Sequence, residues 1–390
     1  MTVDRGLERE RRTLTAATLA NGPTELIDFV LPLWAGAAIG LSATEVGLLM
    51  AVEMALSVVV RPLAGVLADR WDRRHTAAIG ALLYAVSAAG YAVAQSAPLA
   101  YGAAAVGGAG GALLWVAVRA IVSERLAEDT AVFPRLLSAQ ETGSWVAFVV
   151  GLTLVGSFGY AGLFWACAAA CVAAAGFLLA APRRSERVGG GAAAGGLGAV
   201  GRRLRPMLFA VVMTMAAEAA VGLLLLLHLQ RGFGLELREV AYVFLPGAIA
   251  MSAAAEYLHR YVLRFGRRVV LTGASLASAA FAVGLAWAPN PYVIAGLWVL
   301  SGLAWAAVMP VQQAVIAEAA DGQVGRAMGV YEAACLVGAL IGSVAAGVLY
   351  DGARWWVACA VAAAMILAGA VVVPRTVRRL GVPDVPVVKA

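Results

Sequence analysis

The sequence predicts an all-α membrane protein with twelve spanning helices in two pseudo-symmetric halves of six. Three observations carry that expectation: an apolar excess, the length of the apolar runs, and a repeat displaced by 194 residues. The 390 residues are 62% apolar and 13% charged, and the mean hydropathy is +0.85. A soluble domain carries about 45–50% apolar and about 25% charged residues. A water-soluble fold of this length cannot hide so much apolar surface, so hydrocarbon must solvate much of the exterior. Cytosolic enzymes, secreted domains and nucleic-acid modules are excluded on this ground. The net charge of +6 sits in short clusters between apolar runs, so it is no nucleic-acid footprint.

A membrane helix needs about 20 largely apolar residues. Reading on that length gives spans at 15–38, 46–67, 76–95, 98–122, 137–157, 160–181, 207–230, 239–260, 269–288, 291–316, 327–349 and 355–373. Links as short as Ser96-Ala97 and Pro289-Asn290 make successive spans antiparallel neighbours. The longest interruption is rich in Arg and Gly: Arg183, Arg184 and Arg187, then Gly189 to Gly191 and Gly195-Gly196. It separates a first half (1–182) from a second (207–390) through a linker (183–206). No cleavable signal peptide is expected, because the first apolar run contains Asn21, Glu25 and Asp28.

With a cytoplasmic N-terminus, 24 of the 29 basic residues, counting Arg260 at the very end of its span, fall in cytoplasmic segments. Arg231, Arg238 and Arg354 fall outside, and Arg61 and Arg119 lie within spans. The positive-inside bias therefore places both termini and the linker in the cytoplasm of a multi-pass inner-membrane protein. A shift of 194 lays Gly40-Leu41 on Gly234-Leu235, Glu45 on Glu239, Arg73-Arg74 on Arg267-Arg268, and Glu124 on Glu318. After a three-residue length difference, Arg135 and Glu141 fall on Arg326 and Glu332. Parallel halves of six are one layout of secondary transporters. Spans 3, 6, 9 and 12 hold no Asp, Glu, Lys, Arg or His, so every third helix is expected to face lipid. Charges at membrane depth cost about 2.5–3.5 kcal/mol unless they face protein or water.

Span 2 ends in Gly65-Val66-Leu67-Ala68-Asp69-Arg70-Trp71-Asp72-Arg73-Arg74. This string resembles the loop signature of the major facilitator superfamily, a glycine, then aspartate-arginine, then a basic pair. Gly266 before Arg267-Arg268 is similar to the weaker second copy of that family, and Asp72 stands where the family commonly has glycine. The resemblance covers the whole chain. It implies halves that rock about a midplane site, and a monomer with no cofactor. Physically, Gly65 permits close helix approach, and Asp69 can bond a helix N-terminus or an Arg and so latch one face. Gly65, Asp69, Arg70, Arg73 and Arg74 are the gate candidates in this loop.

Asn21, Glu25, Asp28 and Pro32 share one face of span 1. Two ionised carboxylates near the middle of a span would repel, so the pair is expected to hold a proton at neutral pH. Glu25 and Asp28 are the coupling candidates, with Glu218 at matching depth in span 7. The alternative is that these acids pair with Arg61 or Arg119 and only hold helices together. Span 2 carries Glu53, Ser57, Arg61 and Gly65 at intervals of four. An Arg119–Glu141 bridge is expected as an inner gate, with Arg326 and Glu332 as its second-half counterpart. Candidate pathway residues are Asn21, Trp34, Glu53, Trp115, Trp305, Met309, Gln312 and Gln313.

Gly107 to Gly111 and Gly338 to Gly342 provide small-residue surfaces for helix packing. Gly196 to Gly201 fits a G-x-G-x-x-G pattern, but no strand precedes it, so it reads as linker. Cys167, Cys171, Cys335 and Cys359 lie in apolar runs and read as small core residues. No metal site or cofactor is expected. The expected function is proton-coupled export of a small amphipathic organic molecule across the bilayer. Proton-coupled uptake is the alternative, and a membrane enzyme or sensor on a polytopic scaffold the remoter one. The fifth span lacks the Gly-Pro pair of the family's antiporter signature, which weighs against export. The apolar, aromatic and Met character of the pathway candidates weighs for it.

Overall fold

A computed structural model describes residues 2–183 and 196–387. The linker stretch 184–195 and Lys389 lie outside the described residues. The described chain is built from helices: α1 (Thr2–Ala38), α2 (Ala43–Arg70), α3 (Arg73–Val93), α4 (Ala97–Val122), α5 (Val132–Ala180), α6 (Leu197–Leu227), α7 (Leu237–Phe265), α8 (Arg267–Leu285), α9 (Pro291–Glu318), α10 (Val324–Gly352) and α11 (Trp355–Arg379). α5 contains the fifth and sixth spans, because Gly159 leaves helical geometry at φ 66° and ψ −174°. Only a residue without Cβ adopts that φ cheaply, so this glycine divides the long helix. Twelve helical spans result among the described residues, and ten helical stretches are apolar and long enough to cross a membrane.

Two helices start earlier than the apolar runs suggest. α1 begins before its span because Arg9 and Glu10 are buried in ion pairs with Glu124 and Arg125. α6 begins at Leu197, inside the expected linker. Val200, Leu204 and Met207 fall on one helical face and are buried, and that stripe pulls the G-x-G-x-x-G stretch into helix.

The helices gather into two compact units. The first holds residues 1–125, 139–200 and 321–333, and the second 126–138, 201–320 and 334–390. The sequence halves therefore exchange two segments, the starts of α5 and α10. In the first unit α2 and α3 pack on α4. The approach is close: a Cβ on Gly108 would lie 3.0 Å from the Glu53 carbonyl carbon, and one on Gly110 2.9 Å from the Gly80 oxygen. In the second unit α7 and α8 pack on α9 in the same way, with α11 on α8. There Gly338 and Gly342 of α10 meet the backbone of α6 at Val212 and Ala216.

The repeat is visible in backbone detail. Gly40 and Gly234 both adopt positive φ, 75° and 68°. The N–H of Leu41 bonds the Ala35 carbonyl at 3.0 Å, and Leu235 bonds Leu229 at 3.1 Å. Glu45 accepts from the Ser42 N–H, and Glu239 from the Glu236 N–H, each at 2.8 Å. These reciprocal boxes cap the orphan donors at the starts of α2 and α7. The copies part at the next helix. Asp72 caps α3 through the Arg74 N–H at 3.2 Å. Its counterpart Gly266 has no side chain, so Asp384 of the C-terminal tail caps α8 instead, accepting from the Arg268 N–H at 2.9 Å.

The charge-free spans expose apolar stripes, such as Ile79, Val86 and Val93 on α3 and Val269, Leu276 and Val283 on α8. Those residues recur every seven and so share a face that only hydrocarbon solvates well. Exposure is not confined to every third helix, however. α2 exposes Leu56, Val59 and Leu63, and α10 exposes Leu340, Val344 and Val348.

Candidate functional site

At the end of α2, Asp69 accepts the backbone N–H of Gly325 at 2.7 Å and of Arg326 at 3.1 Å. Both donors belong to the first turn of α10, whose N–H groups lack intrahelical partners and carry partial positive charge. Gly65 makes this possible. A Cβ there would sit 2.9 Å from the Arg326 Cα and 3.0 Å from the Gly325 carbonyl carbon. Arg73 is 3.7 Å from Asp69 and 3.1 Å from Glu124, and it donates to the Ala120 carbonyl at 2.8 Å. Arg9 joins the same cluster, bonding Glu124 at 3.0 Å and the Pro182 carbonyl at 2.8 Å. Arg74 reaches Asp72 at 2.8 Å and the Ala181 carbonyl at 3.0 Å. Arg70 is exposed and makes no ion pair among the described residues. In the second unit the repeat of the Arg73–Glu124 pair is Arg267–Glu318, at 2.5 Å.

The expected Arg119–Glu141 bridge does not form. Arg119 instead meets Glu332 at 2.9 Å, and Arg61 bonds the same carboxylate's other oxygen. All three side chains are at least nine-tenths buried, so one carboxylate neutralises two guanidiniums that water cannot reach. Ser57 adds an acceptor for Arg61 Nε at 3.1 Å. Arg326 does not pair with Glu332; its side chain donates to Gln323 at 2.6 Å. The Glu141 side chain makes no ion pair among the described residues.

Nor do Glu25 and Asp28 pair with Arg61 or Arg119, whose charge Glu332 takes. Both acids are exposed rather than packed. Glu25, Asp28, Glu53 and Glu141 are thus four carboxylates of the first unit with no ion pair among the described residues. Asn21 stands apart from them. It is buried and donates to Ser144 at 2.8 Å and the Gln140 carbonyl at 3.1 Å, tying α1 to α5 where Gly22 and Gly143 meet.

Several pathway candidates turn out to be packed. Trp34 is buried edge-on against Tyr91 and Phe164, with ring centroids 5.5 and 5.2 Å away. It belongs to the core of the first unit. Trp115 is buried with the Arg119 guanidinium 5.7 Å from its ring. Gln312 is fully buried and donates to Thr214 at 3.1 Å, and Gln313 is buried beside it. Met309 packs with Leu137, Ala255 and Ala306. Trp305 and Glu218 are both half-buried, and the indole N–H donates to the carboxylate.

Sequence reasoning missed Arg9, Asp384 and the pairing of Thr214 with Gln312, and it met Glu124 only as a position of the repeat. Asp384 left a trace too: the repeat gives α8 no capping side chain of its own. All four cysteines are buried, and none forms a disulfide among the described residues. Among the described residues no group of three His, Cys, Asp or Glu is placed to hold a metal ion.

Three solved structures that the fold resembles are transporters. The human organic anion transporter MFSD10 (TETRAN) superimposes with a TM-score of 0.77 at 17% identity, covering 94% of this chain and 99% of that one. The proton:xylose symporter XylE gives 0.76 at 15% identity, over 95% of both chains. The Escherichia coli fucose:proton symporter FucP gives 0.73 at 16%, over 95% and 98%. Comparison of the sequence with curated proteins returns no match. The profile of the Major Facilitator Superfamily matches residues 13–287 and, in a second alignment, 207–387. The chain belongs to that superfamily and is a multi-pass membrane transporter rather than an enzyme.

Proposed function

We propose that this transporter exports a small amphipathic organic molecule in exchange for protons, by alternating access. One observation carries the reading. Glu25 and Asp28 stand exposed and without an ion pair on one face of α1, while the cations that would neutralise them are held by Glu332. Carboxylates without a cation in a largely apolar protein keep or release protons as water reaches them. A cationic or amphipathic solute arriving at the same face favours release, which couples the two fluxes. The half-buried Glu218–Trp305 pair offers an acceptor beside an aromatic ring for the same class of solute. Asp69 on the α10 N-terminus serves as the cytoplasmic latch, with both termini cytoplasmic in a cell's inner membrane and the monomer as the working unit.

Uptake by proton symport is the second reading, favoured by the fold shared with two proton symporters. The test is flux into proteoliposomes under an imposed pH gradient. The wild type is expected to move solute against its gradient in exchange for protons. The double variant Glu25→Gln/Asp28→Asn should lose accumulation while retaining downhill exchange. Accumulation surviving in the double variant would sink this assignment, and co-directional movement of solute and protons would establish symport.

A further inference from the structure

The last turns of α7 carry two parallel stripes that its packing does not use. Tyr257, Tyr261 and Phe265 recur every four residues, with Arg260 and Arg264 one turn apart beside them, and Arg268 follows beyond Gly266 in the first turn of α8; all six are exposed. Ala255 and Val262 on the same turns face inward and are buried. The rings form a ladder, with centroids 5.9 Å apart between Tyr257 and Tyr261 and 6.2 Å between Tyr261 and Phe265. The Arg260 guanidinium sits 5.0 Å from the Tyr257 centroid, and that of Arg264 5.2 Å from Phe265. Arg268 is engaged by Asp384 at 3.0 Å. Arg260 and Arg264 make no ion pair among the described residues, although Glu256 precedes Arg260 by one turn. Two like charges one turn apart repel, and aromatic rings exposed beside basic residues are the residue types of a headgroup boundary. The pattern is complete only with an anion held against apolar rings.

We propose that this end of α7 binds an anionic phospholipid of the cytoplasmic leaflet, an assignment that rests on the orientation proposed above. Arg260 and Arg264 grip the phosphate oxygens, and the Tyr257–Tyr261–Phe265 ladder lies along the glycerol and upper acyl chain. A guanidinium stacked on a ring keeps its donor edge free and oriented, which suits the planar fork to phosphate. A free anion makes no use of three exposed rings in a ladder, and the headgroup boundary of a bilayer supplies apolar chain beside phosphate.

The experiment measures phosphatidylglycerol binding to the full-length protein in detergent by native mass spectrometry, with phosphatidylcholine as the zwitterionic control. Each basic side chain near the surface contributes enough that Arg260→Gln/Arg264→Gln should weaken phosphatidylglycerol binding by about 30-fold. Phosphatidylcholine binding should not change. Arg378→Gln/Arg379→Gln, at exposed positions ending α11, should bind phosphatidylglycerol as the wild type does. Arg260→Lys/Arg264→Lys should fall between, since it keeps the charge and loses the stacked fork. Wild-type binding in the glutamine pair overturns the proposal, as does an equal loss in the α11 control, which would mean undirected surface charge. Full displacement of lipid by inorganic phosphate at matched concentration would make the occupant a free anion and overturns it too. Binding in detergent reads the site whatever the orientation of the chain, so topology mapping tests that premise separately.

Discussion

Asp69 accepts the backbone N–H of Gly325 at 2.7 Å. One carboxylate at the end of α2 thus supplies the cap that the first turn of α10 lacks, and the neighbouring Arg326 N–H shares it. Hydrogen bonds to a charged group are worth about 1.5–3 kcal/mol each, enough to hold the end of α2 firmly against the first turn of α10.

Asp69→Asn removes the charge and one acceptor while leaving the shape. The population with α2 held against α10 is expected to fall about tenfold, the equivalent of one such bond, with expression near the wild-type level. Distance distributions from paired spin labels on α2 and α10 would read this directly. An unchanged distribution together with wild-type transport would remove the latch role.

Gly65→Ala probes the same approach through sterics. The added methyl would meet backbone atoms at 2.5–3.0 Å, and backbone cannot step aside as a flexible side chain can. Overpacking of this kind costs about 1–3 kcal/mol. The variant should therefore reproduce the Asp69→Asn redistribution with every charge intact. Wild-type spin-label distances in Gly65→Ala would show that the close approach is dispensable.

Glu332→Gln leaves Arg61 and Arg119 buried without their shared anion. Losing one member of a buried ion pair costs about 3–5 kcal/mol, so thermal unfolding in detergent should shift down by several degrees. Adding Arg119→Gln should restore part of the loss, because one stranded charge goes with it. A double-mutant cycle with no coupling would mean that the two residues act independently.

The C-terminal strap should respond to acid. Asp384 lies outside the spans, and its carboxyl is held below the usual range, chiefly by the side-chain hydrogen bond from Arg268. A folded value below the unfolded one, about 3.9, gives stability that is present above that pH and lost as pH falls through the folded value. Protection of the Arg268 amide against hydrogen exchange should therefore hold at neutral pH and fade below about pH 4. Asp384→Ala should weaken it at neutral pH by about 1 kcal/mol, the usual worth of a cap. Equal protection in both proteins at neutral pH would show that the carboxylate is not what holds the strap.

Much of the fold was legible because its determinants are local or additive. Span count follows from apolar length, and Gly40 with Gly234 marked the same turn in both halves because only glycine takes positive φ freely. The pattern of glycine, aspartate and basic pair at the end of α2 announced a capped helix terminus, since those residue types have few other uses there. What the sequence could not choose was the partner. Arg119 had two acids at plausible reach, and the three-dimensional placement of the first turns of α10 beside α2 gave it to Glu332 instead of Glu141. Trp34 reads like an exposed aromatic of a pathway until Tyr91 and Phe164, distant in the chain, close around it. Asp384 is one acid in a tail, and only the folded tail brings it to the bare N-terminus of α8. Composition and spacing thus decided which helices form and which faces are apolar or charged, because those energies add residue by residue. The tertiary structure alone decided which charge meets which, because electrostatic and packing energies depend on distances the chain sets only when folded.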